Sequence, residues 1–288
     1  QIFVQNGVYM KVKFWGVRGS IPVSSSRNSK YGGNTSCVEV TCDDKTIILD
    51  CGTGARALGL DILERDIVKH NNKNTLYMFF SHFHWDHIQG FPFFRVAFHP
   101  EYELNMYSSL YNDKDIESAL SGQMTAPYFP IQLGDMPAKM NYNVINSDEI
   151  VQIGKIDIKS ISLNHPGGSR GFKIICDNRS IAYISDHEHT DESRREVVDF
   201  LKNTNLVMFD SHYTPEEYLG LDGDGGRKGW GHSTWKDAVT LCSEAGIDQL
   251  ILTHHGHEDE KLDRIELEAQ KVFRNTVAAY EGLEIDLR

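Results

Sequence analysis

Six consecutive positions, His82-Phe83-His84-Trp85-Asp86-His87, hold three imidazoles and one carboxylate. They follow Ser81 and the apolar run Leu76-Tyr77-Met78-Phe79-Phe80, which reads as a buried strand. Alternate side chains of an extended chain share a face, so His82 and His84 leave the strand end together. Asp86 and His87 follow where the chain must turn, and they can face the same point from another direction. Buried histidines each need hydrogen-bond partners of their own, so three this close are poor packing material. Imidazole and carboxylate donors suit zinc, iron or manganese, and no cysteine lies among them to close a structural zinc site. A solvated histidine-rich turn is the bland alternative, but such turns rarely follow a core strand. The stretch predicts a metal centre.

One cluster cannot surround two ions alone, so further ligands are expected at other strand ends. Lys11 to Trp15 alternates like a strand, broken by Gly16-Val17-Arg18-Gly19-Ser20. A polar loop follows, with the turn signal Gly32-Gly33-Asn34 near its end. Ser36 to Thr41 and Thr46 to Leu49 read as a hairpin closed by Asp43-Asp44-Lys45. That strand ends at Asp50, and Ala55 to Val68 has helical spacing. Glu103 to Tyr107 suggests a strand and Asp113 to Leu120 a short helix. The aromatic stretch Phe91 to Phe94, with Phe98, either walls a pocket or packs beneath one. Ile150 to Val151, Ile156 to Leu163, Gly171 to Cys176, Ser180 to Ile184, Leu206 to Phe209 and Gln249 to Leu252 read as strands. Asp191 to Leu201, Thr234 to Glu244 and Asp259 to Phe273 read as helices. Two halves with strands inside and helices outside predict an α/β fold of four layers, an αββα sandwich. No internal repeat or clear linker interrupts it, so 10–288 is expected to be one domain, with 1–9 a leader or an expression remnant.

Three residues sit where the missing ligands are needed. His165 follows Ile156 to Leu163, next to Gly167-Gly168; Asp186 follows Ile181 to Ile184; His254 follows Leu250 to Thr253. A lone histidine or aspartate at a strand end is usually a loop residue, and His255 and His257 are alternatives to His254. The order His, Asp, His after the cluster gives the three their joint weight.

With Asp50, these residues resemble the metallo-β-lactamase fold superfamily over about Lys11 to Ile265. The resemblance implies that His82, His84 and His165 hold one metal, that Asp86, His87 and His254 hold a second, and that Asp186 bridges them. It makes Asp50 a structural residue that hydrogen-bonds the ligand loop. His84 stands where flavodiiron-type members carry a carboxylate, which favours hydrolysis over redox chemistry. Gly231-His232-Ser233-Thr234 resembles the HST element of RNase Z-like phosphodiesterases, in which the histidine assists phosphodiester cleavage. Ser233 or Thr234 could instead simply cap the following helix. The phrases Trp15 to Ser20, Asp186-His187-Glu188 and Tyr213 to Tyr218 are similar to bacterial relatives of that branch that act on cyclic nucleotides or other small phosphodiesters.

This resemblance implies a hydrolase with two divalent metal ions, zinc foremost and manganese or iron as alternatives. Asp86 is expected to act as base and His232 to protonate the leaving oxygen or bind a phosphate oxygen, with Asp50 and Asp210 orienting ligand histidines. Arg18 and Asn34 are expected to touch substrate, and Arg227 and Lys228 could add positive charge. Only positions 166 to 185 separate His165 from Asp186, too few for the tRNA-gripping arm of RNase Z once two strands are placed. The formal net charge of −12 also disfavours an extended nucleic acid. A 3′,5′-cyclic nucleotide is therefore the expected substrate, ahead of a tRNA 3′ end, then a lactone or thioester, then a non-catalytic ligand-binding role. Relatives in this branch often form homodimers, so a homodimer is an expected assembly. The five cysteines are odd in number and form no CxxC pair, which suggests reduced core residues and a cytoplasmic setting. No apolar run approaches the ~20 residues that span a membrane.

Overall fold

Strand alternation decides the layering. In the computed structural model, which describes residues 9–69, 74–146 and 149–287, the first half forms β1 (Met10–Gly16), β2 (Cys37–Cys42), β3 (Lys45–Leu49), α1 (Ala55–Lys69), β4 (Asn74–Phe79), α2 (Trp85–Ile88), β5 (Tyr102–Ser108), α3 (Ile116–Gln123) and β6 (Lys139–Val144). The second half supplies β7 (Val151–Ile153), β8 (Ile156–Leu163), β9 (Ser169–Cys176), β10 (Arg179–Ile184), α4 (Asp191–Leu201), β11 (Leu206–Asp210), α5 (Pro215–Tyr218) and α6 (Trp235–Ala245). It closes with β12 (Gln249–Thr253), α7 (Asp259–Val272), β13 (Thr276–Ala278) and β14 (Glu284–Leu287). The expectation for residues 1–9 lies outside the described residues except at Tyr9.

Two sheets result, ordered β14-β1-β2-β3-β4-β5-β6 and β13-β12-β11-β10-β9-β8-β7. Met10, Val12 and Phe14 of β1, Ile47 and Leu49 of β3, and Phe79 of β4 pack on Ile181 and Tyr183 of β10 and Leu206 and Met208 of β11. This is the core between the sheets. The alternate residues face outward: Ile48 and Met78 meet Leu58 of α1 and Leu120 of α3. Ala182, Val207 and Leu250 meet Val198 of α4, Leu241 of α6 and Ile265 of α7. Sheets that carry apolar residues on both faces need cover on both sides, and the αββα sandwich follows. Among the described residues, no helix is long and apolar enough to cross a membrane. All five cysteines are buried and unpaired.

The parallel strands place the site. β3 and β4 pair in parallel, as do β10, β11 and β12, so their C-terminal ends gather at one edge of the sandwich. Asp50, Ser81, Asp186, Asp210 and His254 all lie at or just beyond those ends. Backbone there leaves regular geometry: Asp50 (φ 58°) and His254 (φ 61°) occupy the left-handed region. That conformation costs a non-glycine residue on the order of 1–3 kcal/mol, and it concentrates where a side chain must be aimed.

Candidate metal centre

Asp50 is the anchor of the ligand loop. Its carboxylate accepts from the Ser81 amide (2.7 Å), the Ser81 hydroxyl (2.8 Å), His87 Nδ1 (2.7 Å) and, across the inter-sheet core, the Tyr183 hydroxyl (2.8 Å). Holding the proton of His87 on Nδ1 leaves Nε2 as its free donor atom.

Around Asp186 the side chains form two sets. His82 Nε2 and His165 Nε2 lie 3.5 and 3.6 Å from Asp186 Oδ2, and His84 Nδ1 lies 3.1 Å from His165 Nε2. His87 Nε2 and His254 Nε2 lie 3.2 and 3.1 Å from the other oxygen, Asp186 Oδ1. They also lie 3.3 and 3.1 Å from Asp86 Oδ2. In each set the candidate donor atoms fall within 4.8 Å of one another. All seven residues named from the sequence thus meet, divided between the two oxygens of one carboxylate. His255 Nε2 donates to the Ala279 carbonyl and His257 pairs with Glu217, so His254 alone of the three reaches the centre.

The donors fit divalent cations. His82 Nε2 and His87 Nε2 are buried without any hydrogen-bond partner, an arrangement that costs stability unless something binds them. Burial holds His82, His84 and His165 below the ordinary histidine range and so neutral, as ligands must be, whereas Asp186, Asp86 and Asp50 outweigh burial and hold His87 above it. Burial opposes the charge on Asp86 and Asp186, but the surrounding histidines outweigh it and keep both ionised. Nitrogen and carboxylate oxygen donors without sulfur suit zinc, manganese or iron.

His232 stands beside the pair. Its Nδ1 donates to Asp210 Oδ2 at 2.9 Å, and its ring stacks on His254 with centroids 5.0 Å apart. Burial opposes its charged form, yet Asp210 and then Asp186 push its pKa up to about 9. Thr234 is the cap of α6, accepting from the Asp237 amide, so the helix start and the histidine coexist in one motif. Asp210 therefore serves His232 rather than a metal ligand: His254 Nδ1 is 3.9 Å away from it and makes no hydrogen bond. Asp210 also accepts from the amides of His187 and His212.

Two expected substrate contacts are corrected. Arg18 is buried, and its guanidinium is spent on the Gly32 carbonyl (2.7 Å), the His257 carbonyl and Asp259 (3.2 Å). Asn34 gives its amide and side-chain NH2 to Glu281. What Arg18 does is fix a loop. A Cβ on Gly19 would sit 2.4 Å from His254 Nδ1, so only glycine lets the chain close over that ligand. The next amide, Ser20 N–H, then reaches Asp86 Oδ2 at 2.7 Å. Arg227 bonds carbonyls of its own loop and lies over Trp230. Phe91 and Phe94 pack under α1 rather than walling a pocket.

Sequence reasoning assigned Glu188 no role. Its carboxylate accepts from the Tyr218 hydroxyl (2.7 Å), Gly229 N–H (2.8 Å) and Gly231 N–H (2.9 Å). The Gly231 carbonyl in turn meets His165 Nδ1 at 2.8 Å. The glycine-rich segment is thus tied at one carboxylate, and it orients both His165 and His232. Glu188→Ala is expected to lower metal affinity or turnover about 10- to 100-fold, as loss of a partner behind a ligand does. Metal titration and steady-state kinetics check this; unchanged values in a folded variant would remove Glu188 from the site.

The αββα sandwich places two donor sets for divalent cations at one sheet edge, and the protein is a metal-dependent hydrolase. The chain belongs to the beta-lactamase superfamily, whose domain description matches residues 45–255. It is 24% identical over 323 aligned positions to a ribonuclease Z of Archaeoglobus fulgidus, covering 96% of this chain and 97% of that protein. It is 27% identical over 143 to one of Halalkalibacterium halodurans, covering 49% of this chain and only 40% of that protein. Among solved structures, the metallo-beta-lactamase fold protein YhfI from Bacillus subtilis superposes with a TM-score of 0.71 at 21% identity, over 98% of this chain and all of that one.

Proposed function

We propose that the protein is a dinuclear-metal phosphodiesterase acting on a small phosphodiester, a 3′,5′-cyclic nucleotide foremost, with zinc as its metal. The observation that carries this reading is the sharing of Asp186 between two donor sets with the Asp210-held His232 beside them. His82, His84 and His165 would hold one ion with Asp186 Oδ2; Asp86, His87 and His254 would hold the other with Asp186 Oδ1. Two such cations supply Lewis acidity and a water acidic enough to attack near neutral pH. Asp86, kept ionised by His87 and His254, accepts a proton on the attacking side. With Nδ1 committed to Asp210, His232 presents Nε2 to the leaving oxygen and donates a proton there.

The relatives named ribonuclease Z favour a second reading, cleavage at a tRNA 3′ end. Against it, β9 and β10 occupy most of the chain between His165 and Asp186. The net charge of −12 also works against phosphate neutralisation. Metal-loaded protein should therefore hydrolyse 3′,5′-cyclic AMP and bis-p-nitrophenyl phosphate in preference to a tRNA precursor with a 3′ trailer. Turnover of the precursor alone would establish the second reading, and turnover of lactones or thioesters alone would reject both.

A further inference from the structure

A cavity of about 1040 Å³ opens beside the first donor set, with His82 and His84 in its lining. A phosphodiester group needs only a small part of that space, so the volume is there for what the phosphate carries. Its walls are aromatic. Trp85 is 76% exposed and Tyr128 81% exposed, an unusual outlay of apolar surface at the rim of a polar centre. Trp85 is placed by its neighbours, since His84 and Asp86 on either side both belong to the donor sets. Tyr111 is fixed by its hydroxyl on the Ser81 carbonyl and by an edge contact with Phe83, centroids 4.8 Å apart. Gly167 (φ 82°) and Gly168 (φ 92°) carry no side chain into the space, and a Cβ on Gly168 would touch the Tyr111 ring.

The polar part of the lining decides the occupant. Away from His82 and His84 it consists of the amides Gln89, Asn112 and Gln123 together with Lys114, and among the described residues no carboxylate lines it. Aromatic faces with neutral amides match a heteroaromatic base, which stacks on the former and bonds its edge to the latter. A polynucleotide would require a track of cations, and an acyl chain would make no use of Asn112, Lys114 or the amide oxygens of Gln89 and Gln123.

We infer that this cavity is a nucleoside subsite, with Trp85 and Tyr128 as its stacking surfaces, which makes the substrate a nucleotide ester in particular. The inference rests on the phosphodiesterase reading above. Two esters with the same leaving group test it: thymidine 5′-(p-nitrophenyl phosphate) and methyl p-nitrophenyl phosphate. Wild-type enzyme should prefer the nucleoside ester by about tenfold or more in kcat/KM. Trp85→Ala and Tyr128→Ala should erase most of that preference through KM, and Trp85→Phe should restore part of it. A preference that is absent, or unmoved by both alanine variants, overturns the subsite and leaves the phosphodiesterase reading standing. If neither ester reacts, that reading has failed. Binding of thymidine 5′-monophosphate, followed by its loss in Tyr128→Ala, then decides the subsite alone: tight binding lost in the variant supports it, and no binding overturns it.

Discussion

Asp186→Ala is expected to abolish activity and to leave the protein unable to hold either ion in stoichiometric amount. Both oxygens of this carboxylate are engaged, Oδ2 towards His82 and His165, Oδ1 towards His87 and His254. Among the described residues, Asp186 alone belongs to both of these donor sets. Loss of a partner behind a ligand already weakens metal binding about 10- to 100-fold, so loss of a shared ligand should exceed that. Stability reports the same event. A bound ion at a hundred times its dissociation constant adds about 2.7 kcal/mol, or roughly 5 °C in Tm for a chain of this size. Chelation should lower the Tm of the wild type by that order and leave Asp186→Ala unmoved. A variant that keeps two ions by elemental analysis would show that the centre is not shared.

The candidate site was legible because its donor residues sit at strand ends, where an apolar run stops and a polar residue follows. The six-residue cluster, His165, Asp186 and His254 all have that signature. The central strands were readable for the same reason, since they are apolar on both faces. β6, β13 and β14, which sequence reasoning missed, are all edge strands. β6 carries Lys139, Asn141 and Asn143 and buries none of its residues fully, and β13 is three residues long. An edge strand has one neighbour and little apolar surface, so periodicity cannot announce it. Arg18 misled for another reason. A cation in a glycine-flanked loop near a phosphate site suggests a substrate contact, but its partner Asp259 is 241 positions away in sequence. Glu188 was invisible because its three partners lie 30 to 43 positions downstream.

The His232–Asp210 pair yields the other large effect. His232→Ala should lower kcat by about 10²- to 10⁴-fold, the span a positioned proton donor contributes, while both ions stay bound. Asp210→Asn separates charge from placement. The asparagine can still accept from His232 Nδ1 but no longer holds the imidazolium by its charge. The sign follows from the shift. Asp210 and Asp186 raise the pKa of His232 against burial, so the protonated form survives to higher pH and is lost as pH rises through that value. Bound cations oppose the contribution of Asp186, yet the direct bond to Asp210 at 2.9 Å persists. The alkaline limb of the kcat–pH profile should therefore move to lower pH in Asp210→Asn, with its acid limb in place. In His232→Ala that alkaline limb should vanish. A substrate whose leaving group needs no protonation, such as p-nitrophenolate, should lose far less in either variant than cyclic AMP does. Equal losses on the two substrates would mean that His232 binds a phosphate oxygen and transfers no proton.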